Sequence, residues 1–195
     1  MENNPAHMST TELLVAGPRG NLDAQYYLGQ AYLSGLDIEQ STDEALHWFK
    51  KAAAKGNALS QNALGSLLSA SGDYKTANYW FSAAADQGYA VAEYNLGVAY
   101  ERGLGLAKDF HAAFHWIHES ALQGHHDSIV ELAYMYKLGG GTPIDDTAAY
   151  QWLKVAWLQG DHRTDSDLNE WGAKMTPDQI AAAEKFAKEF REKHP

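Results

Sequence analysis

"GYAVAEYNLGVAYERGLGLAKDFHAAFHWIHESALQ", residues 88–123, holds two apolar patterns on either side of a glycine-rich break. Before the break, Ala92, Leu96 and Tyr100 recur every four residues, with Gly97 beside Leu96. That spacing puts side chains on one face of an α-helix. After the break, Ala113 and Trp116 stand three apart and Ala121 follows. The break itself, "GLGLAKD", supplies glycine to end one helix and polar residues to start the next. The stretch therefore reads as two helices joined by a turn. A single such pair cannot bury its apolar face, so it requires neighbours of the same kind.

The neighbours are in the sequence. Glycines stand at Gly20, Gly56, Gly88, Gly124 and Gly160, at spacings of 36, 32, 36 and 36 residues. Aligned on them, residues 20–55, 56–87, 88–123 and 124–159 form four units, the second lacking four residues in its middle turn. In the first helix of each unit, Leu28, Leu64, Leu96 and Leu132 share a column. The next column is Gly29, Gly65, Gly97 and Ala133, small enough for helices to approach closely. Tyr32, Leu68, Tyr100 and Tyr136 follow on the same face. The second helix carries Ala45, Ala77, Ala113 and Ala149, then Trp48, Trp80, Trp116 and Trp152. Their fixed register marks the tryptophans as repeat core rather than a ligand box.

The ends are built differently. Residues 1–8 are expected to be a disordered or cloning-derived N-terminus. Residues 9–19 read as a capping helix, with Ser9 and Glu12 at capping-box spacing. Residues 160–195 read as a capping hairpin: "DSDLNEWGAKM" is a degenerate first helix, with Trp157 and Trp171 covering the junction. Thr176, Pro177 and Gln179 open its second helix as cap, first helical residue and capping box.

The pattern A-x-x-x-L-G-x-x-Y-x-x-G, a turn ending near Asp, then A-x-x-W and A-A-x-x-G, resembles the Sel-1-like repeat, a relative of the tetratricopeptide repeat. The resemblance covers about residues 20–159; the second unit departs from it with Ser60 for Ala, Leu68 for Tyr and a short turn. It implies an all-α fold, a right-handed superhelical solenoid of antiparallel helix pairs with a concave groove that binds proteins or peptides. The groove residues follow from the helical period. If the first helices pack through the columns above, positions 100° per residue away face the other side. These are Asp23, Tyr26, Gln30 and Leu33; Asn62 and Ser66; Val91, Tyr94, Val98, Glu101 and the adjoining Arg102; and Asp127, Val130, Tyr134 and Lys137. They mix tyrosines, aliphatics and a few charges, as recognition surfaces do. The alternative is that the tyrosines complete packing between repeats.

Composition narrows the function further. Net charge is −10, against nucleic-acid binding and compatible with a basic protein partner. There are no cysteines, hence no disulfide, iron–sulfur cluster or thiolate nucleophile. No apolar run approaches the roughly 20 residues that span a bilayer, and the start lacks a secretory signal. A cytoplasmic protein is expected, or a periplasmic one if a signal has been removed, monomeric by default. The glycine-rich turns follow no strand, so they are not nucleotide loops. No catalytic residue, metal site or cofactor is expected.

One stretch tests that expectation. "HAAFHWIHESALQGHH", residues 111–126, holds five of the nine histidines. The repeat register puts His111, His115 and His118 in columns of mostly polar residues, on the outer, solvated face of a second helix. His125 and His126 fall in the next turn. A pH-sensitive surface patch is the expected consequence. Asp161 and His162 are read as solvated loop residues. The chain is thus read as a non-catalytic interaction module, an adaptor or regulator. The alternatives are an immunity protein that neutralises a bacterial toxin and a small metal-assisted hydrolase using the histidines.

Overall fold

The structure is a computed structural model and describes residues 5–194. Among the described residues there are eleven α-helices and no strand. They are α1 (Thr10–Ala16), α2 (Leu22–Ser34), α3 (Thr42–Ala53), α4 (Ala58–Ala70), α5 (Tyr74–Ala85), α6 (Ala90–Arg102), α7 (Phe110–Leu122), α8 (His126–Leu138), α9 (Asp146–Leu158), α10 (Asp165–Gly172) and α11 (Pro177–Lys193). The chain divides into two compact units, residues 1–92 and 93–195, with the division inside α6. Of the segment expected to be disordered, residues 1–4 lie outside the described residues. Pro5–His7 form a 3-10 turn, and Met8 packs on the first core cluster.

The 36-residue spacing of the glycines has a conformational cause. Gly20, Gly56, Gly88, Gly124 and Gly160 all have φ between +75° and +97°. A side chain at Gly20, Gly56, Gly88 or Gly160 would meet nothing within 4 Å, so the left-handed backbone, not space, demands glycine there. The residue after each glycine donates its N–H back into the preceding helix, as Asn57 does to Ala52 and His125 to Ser120, closing that helix end. The turn inside each unit is held by another repeated bond. The N–H of Ser41, Asp73, Asp109 and Asp145 donates to the carbonyl of Tyr32, Leu68, Tyr100 and Tyr136, at 2.9–3.0 Å. The same four side chains cap α3, α5, α7 and α9. The four-residue deletion in the second unit leaves both the bond and the cap intact.

Within each pair the core is a size match. A Cβ on Gly29 would lie 2.5 Å from the Phe49 ring; on Gly65, 2.7 Å from Phe81; on Gly97, 2.6 Å from Ile117. The fourth pair has Ala133 and Leu153, both fully buried in one cluster. The close-approach column is as expected. Its partner, the column after the tryptophans, was not: Phe49, Phe81, Ile117 and Leu153 are all buried. Of the tryptophans, Trp48 and Trp152 are buried, whereas Trp80 and Trp116 are half-buried.

In the first unit, α1 packs on α2, and α2, α3, α4 and α5 pack in succession. Both expected capping boxes are present, Ser9 with Glu12 and Thr176 with Gln179. In the second unit α8 packs on α7 and α9, and α9 also carries α10 and α11. Ala183, Ala187 and Phe190 of α11 are buried, and Phe186 and Phe190 stand edge-on to Trp152 at 5.3 and 5.2 Å. Trp171 is buried at this end; Trp157 is half-buried, its indole N–H donating to Asp165 at 2.7 Å.

Candidate functional site

The fifteen face positions lie on α2, α4, α6 and α8, and none is buried. On the opposite side of the same helices Ala24, Leu28, Leu64, Leu96 and Leu132 are fully buried. In the first unit several face residues are pre-positioned. Tyr26 stands edge-on to Tyr27 at 5.1 Å, and its hydroxyl accepts from Gln30 Nε2 at 3.1 Å. Asp23 accepts from Asn57 Nδ2 at 3.0 Å. Leu33 packs on a core cluster. The Ser66 hydroxyl donates to the Asn62 carbonyl within α4. Val91, near the start of α6, is half-buried.

In the second unit Tyr94, Asp127, Val130 and Tyr134 line one cavity of about 310 Å³, together with Glu131, Asp161, Arg163 and Thr164. Tyr94 lies against the His125 ring at 5.0 Å. Burial, with Asp127 and Glu131 nearby, pushes its hydroxyl above the ordinary tyrosine range. Val98 and Glu101 are half-buried and Arg102 exposed on α6. Two predicted residues also serve the C-terminal hairpin. Tyr134 donates its hydroxyl to Asp167 and stands edge-on to Trp171 at 5.5 Å. Burial, then that bond, pushes it up to about 12. Lys137 pairs with Asp146 at 2.7 Å and lies 5.2 Å over the Trp171 ring. For these two, packing against the cap is part of the reason they differ from their columns.

Asp161 corrects the expectation of a solvated loop. Its side chain is almost wholly buried, although His162 beside it is exposed. Arg163 makes three bonds to it, Nε at 2.8 Å, Nη2 at 2.7 Å and the backbone N–H at 3.1 Å, and His126 Nε2 lies at 3.0 Å. The Arg163 bonds, assisted by His126 and against the cost of burial, hold its carboxyl well below the usual range. Glu131 was also missed. It is half-buried, and burial together with Glu101 pushes its carboxyl up against the opposing pull of Arg102. Its column, Tyr27, Ala63, Asn95 and Glu131, shows no residue type in common, so only its place beside Val130 could have drawn notice.

The histidines do not converge. His111 and His115 are exposed on α7, as expected, but His111 Nδ1 also reaches the Gly141 carbonyl at 2.8 Å. His118 is half-buried and stacked on Phe114. His125 caps α8, accepting from the Ser128 N–H, and burial pushes it down toward the neutral form. His126 bridges Gln159 and Asp161. Among the described residues no group of three or more His, Cys, Asp or Glu is placed to hold a metal ion. The His126–Asp161 pair opens on a cavity of about 570 Å³ whose other lining residues are Gln159, Gly160, His162 and Arg163. No described helix is long and apolar enough to cross a membrane.

What this arrangement can do is bind. Half-buried aromatic and aliphatic side chains with pre-set rotamers lose little entropy on contact. Comparison with known proteins agrees on the scaffold. A crystal structure of a protective antigen present in uropathogenic Escherichia coli strains, displaying an SLR fold, superposes with a TM-score of 0.84 at 29% identity, covering 94% of this chain and 40% of that one. A Sel1 repeat protein from Oxalobacter formigenes superposes at 0.76 and 32% identity, covering 83% of this chain and 48% of that one. The chain thus spans about two fifths and about half of these two proteins. The Sel1 repeat matches four times in succession, at residues 22–57, 58–89, 90–125 and 126–161. Each match begins two residues after the glycine boundary, so the period is the same and only the phase differs. With four consecutive copies, helix pairs closed by left-handed glycines and the small-residue column at every seam, the chain belongs to the Sel1 repeat family, whose members are generally protein-interaction modules.

Proposed function

We propose that this chain is a non-catalytic module that holds a partner protein or peptide against the exposed faces of its first-position helices. In the first unit the contact residues are Tyr26, Gln30 and Leu33; in the second, Tyr94, Val98, Asp127 and Val130. The observation that carries the reading is the cavity in the second unit, where four residues chosen only by helical period line one concavity with Tyr94 braced on His125. Aromatic anchors in partly desolvated concavities supply most of the energy in protein interfaces. The acid residues around the cavity favour a partner with basic character.

Affinity purification from the native cell tests this, using the full chain and its Tyr94→Ala and Tyr26→Ala variants. Tyr79→Ala serves as control, because Tyr79 is 66% exposed on α5, away from the proposed face. Partners recovered by the wild type and the control are expected to fall about tenfold or more with each face variant, the effect of an aromatic hot spot. Equal recovery by all four folded proteins overturns the reading.

A further inference from the structure

Beside the cavity that contains Tyr94 is a second one, of about 290 Å³, between α6, α7 and α8 of the second unit. Its walls are mostly apolar: Phe110, Met135 and Leu138 with Gly139 and Gly140, and Tyr134, whose hydroxyl is bonded to Asp167. Leu138 is 75% exposed and Phe110 43% exposed, far more than core packing needs. Two carboxylates, Glu101 and Glu131, reach the same space, and among the described residues neither takes part in a hydrogen bond or an ion pair. The cations nearby are committed or outside: Arg102 is exposed and acts on Glu131 only at a distance, Lys108 lies over the Phe110 ring at 4.5 Å, and Lys137 pairs with Asp146.

We propose that this cavity receives one lysine or arginine side chain of the partner, its methylene stem along Phe110, Met135 and Leu138 and its charged head between Glu101 and Glu131. The proposal rests on the interaction reading above and names the chemistry that one pocket selects. The volume is at the small end for ligand pockets, which run from about 300 to 1,000 Å³, and suits one side chain rather than a helix. Long cationic side chains are apolar along the stem and charged at the tip, the same division the walls show. A divalent metal would find only these two carboxylates, since among the described residues no group of three or more His, Cys, Asp or Glu is placed to hold one. A purely apolar side chain would leave two like charges facing each other with only the distant pull of exposed Arg102 against their repulsion. Glu131 already feels that repulsion, being pushed up by burial and by Glu101, and an incoming cation relieves it.

Nuclear magnetic resonance titration of the 15N-labelled full chain tests the pocket directly. The probes are n-butylammonium and propylguanidinium, the lysine and arginine side chains alone, with 1-butanol as the uncharged stem. Saturable shifts of the Gly139, Gly140, Met135 and Leu138 amides are expected with both cations, about fivefold tighter than with butanol. Glu131→Gln and Glu101→Gln should each reduce the cations to near the butanol level. Both positions are partly open and each substitution removes one side of a repulsion, so neither variant is expected to lose thermal stability. No saturable shift at these amides, or an equal response to butanol, overturns the proposal. In the purification experiment Glu131→Gln should release partners that Tyr79→Ala keeps. If it keeps them while Tyr94→Ala releases them, the cation pocket fails and the interaction reading stands; if no variant releases them, the interaction reading fails.

Discussion

Replacing Gly29 by alanine should destabilise the protein in one background and stabilise it in another. In the wild type the new Cβ lies 2.5 Å from Phe49 Cε1 and 2.8 Å from Cδ1 and Cζ, against a normal carbon contact of roughly 3.5–4.0 Å. Phe49 is fully buried, so its ring has nowhere to retreat. Overpacking of this kind costs about 1–3 kcal/mol. Alanine returns up to about 1 kcal/mol through helix propensity, leaving a net loss of about 1 kcal/mol. Phe49→Leu alone opens a void over Gly29 and costs about 1–3 kcal/mol. Adding Gly29→Ala to that variant fills the void and keeps the propensity gain, so it should raise stability by about 1 kcal/mol. The double variant is the Ala133–Leu153 pair of the fourth repeat moved into the first. Urea unfolding of the four proteins followed by circular dichroism, compared at equal slope, measures the cycle. If Gly29→Ala has the same effect in both backgrounds, within about 0.5 kcal/mol, the paired-size account of the seam is refuted.

Two further substitutions probe single contacts in the second unit. Glu93 is buried, accepts from Gln123 Nε2 at 2.7 Å, and is pushed up by burial and by Glu119. Its column holds Gln25 and Gln61 in the first two repeats. A carboxyl raised in the folded state loses stability as pH rises from its unfolded value of about 4.3 through its folded one. Glu93→Gln should therefore increase the urea midpoint at pH 7.5, with the gain shrinking to nothing below about pH 4; a gain that does not vary with pH contradicts this. Gly141 has φ +80° and a Cβ there would lie 1.9 Å from the Phe110 carbonyl oxygen. Gly141→Ala should cost more than about 2 kcal/mol, read as a lowered thermal midpoint, whereas Gly160→Ala serves as the positive-φ comparison, since a Cβ there meets nothing within 4 Å.

The columns that repeat by identity are legible in the sequence alone: the boundary glycines, the leucines, the small residue beside them. The column that repeats by volume is not. Phe49, Phe81, Ile117 and Leu153 differ in type, while the tryptophan before each is constant and draws the eye. Yet Phe81 and Ile117 are buried where Trp80 and Trp116 are only half so. The reason is steric: the close-approach glycine has a bulky complement, and only the sum of the two volumes is under constraint. Asp161 and His111 escaped for another reason. The Arg163 and His126 bonds to Asp161, and the His111 bond to Gly141, join residues that occur once, so register carries no information about them.

Variation at the face positions has two separate sources. A repeat position can differ from its column because a partner is read there, or because the array ends there and a cap must be held. Tyr94 and Val130 vary with no cap residue bonded to them. Tyr134 and Lys137 vary as well, but Asp167, Asp146 and Trp171 of the same chain meet them. Glu101 and Glu131 vary, face a cavity, and their carboxylates make no hydrogen bond or ion pair among the described residues, Arg102 acting on Glu131 only at a distance. A variable half-buried residue whose counterpart is found within the chain is explained by folding. One whose counterpart is missing retains an uncompensated desolvation or repulsion that folding alone does not justify. By that criterion the first unit offers pre-organised contacts rather than a missing counterpart, since Tyr26 and Gln30 hold each other in place and Asp23 meets Asn57. The second unit points to the span from Tyr94 through Glu101 and Glu131 to Leu138, and that is where a partner's contribution should be sought.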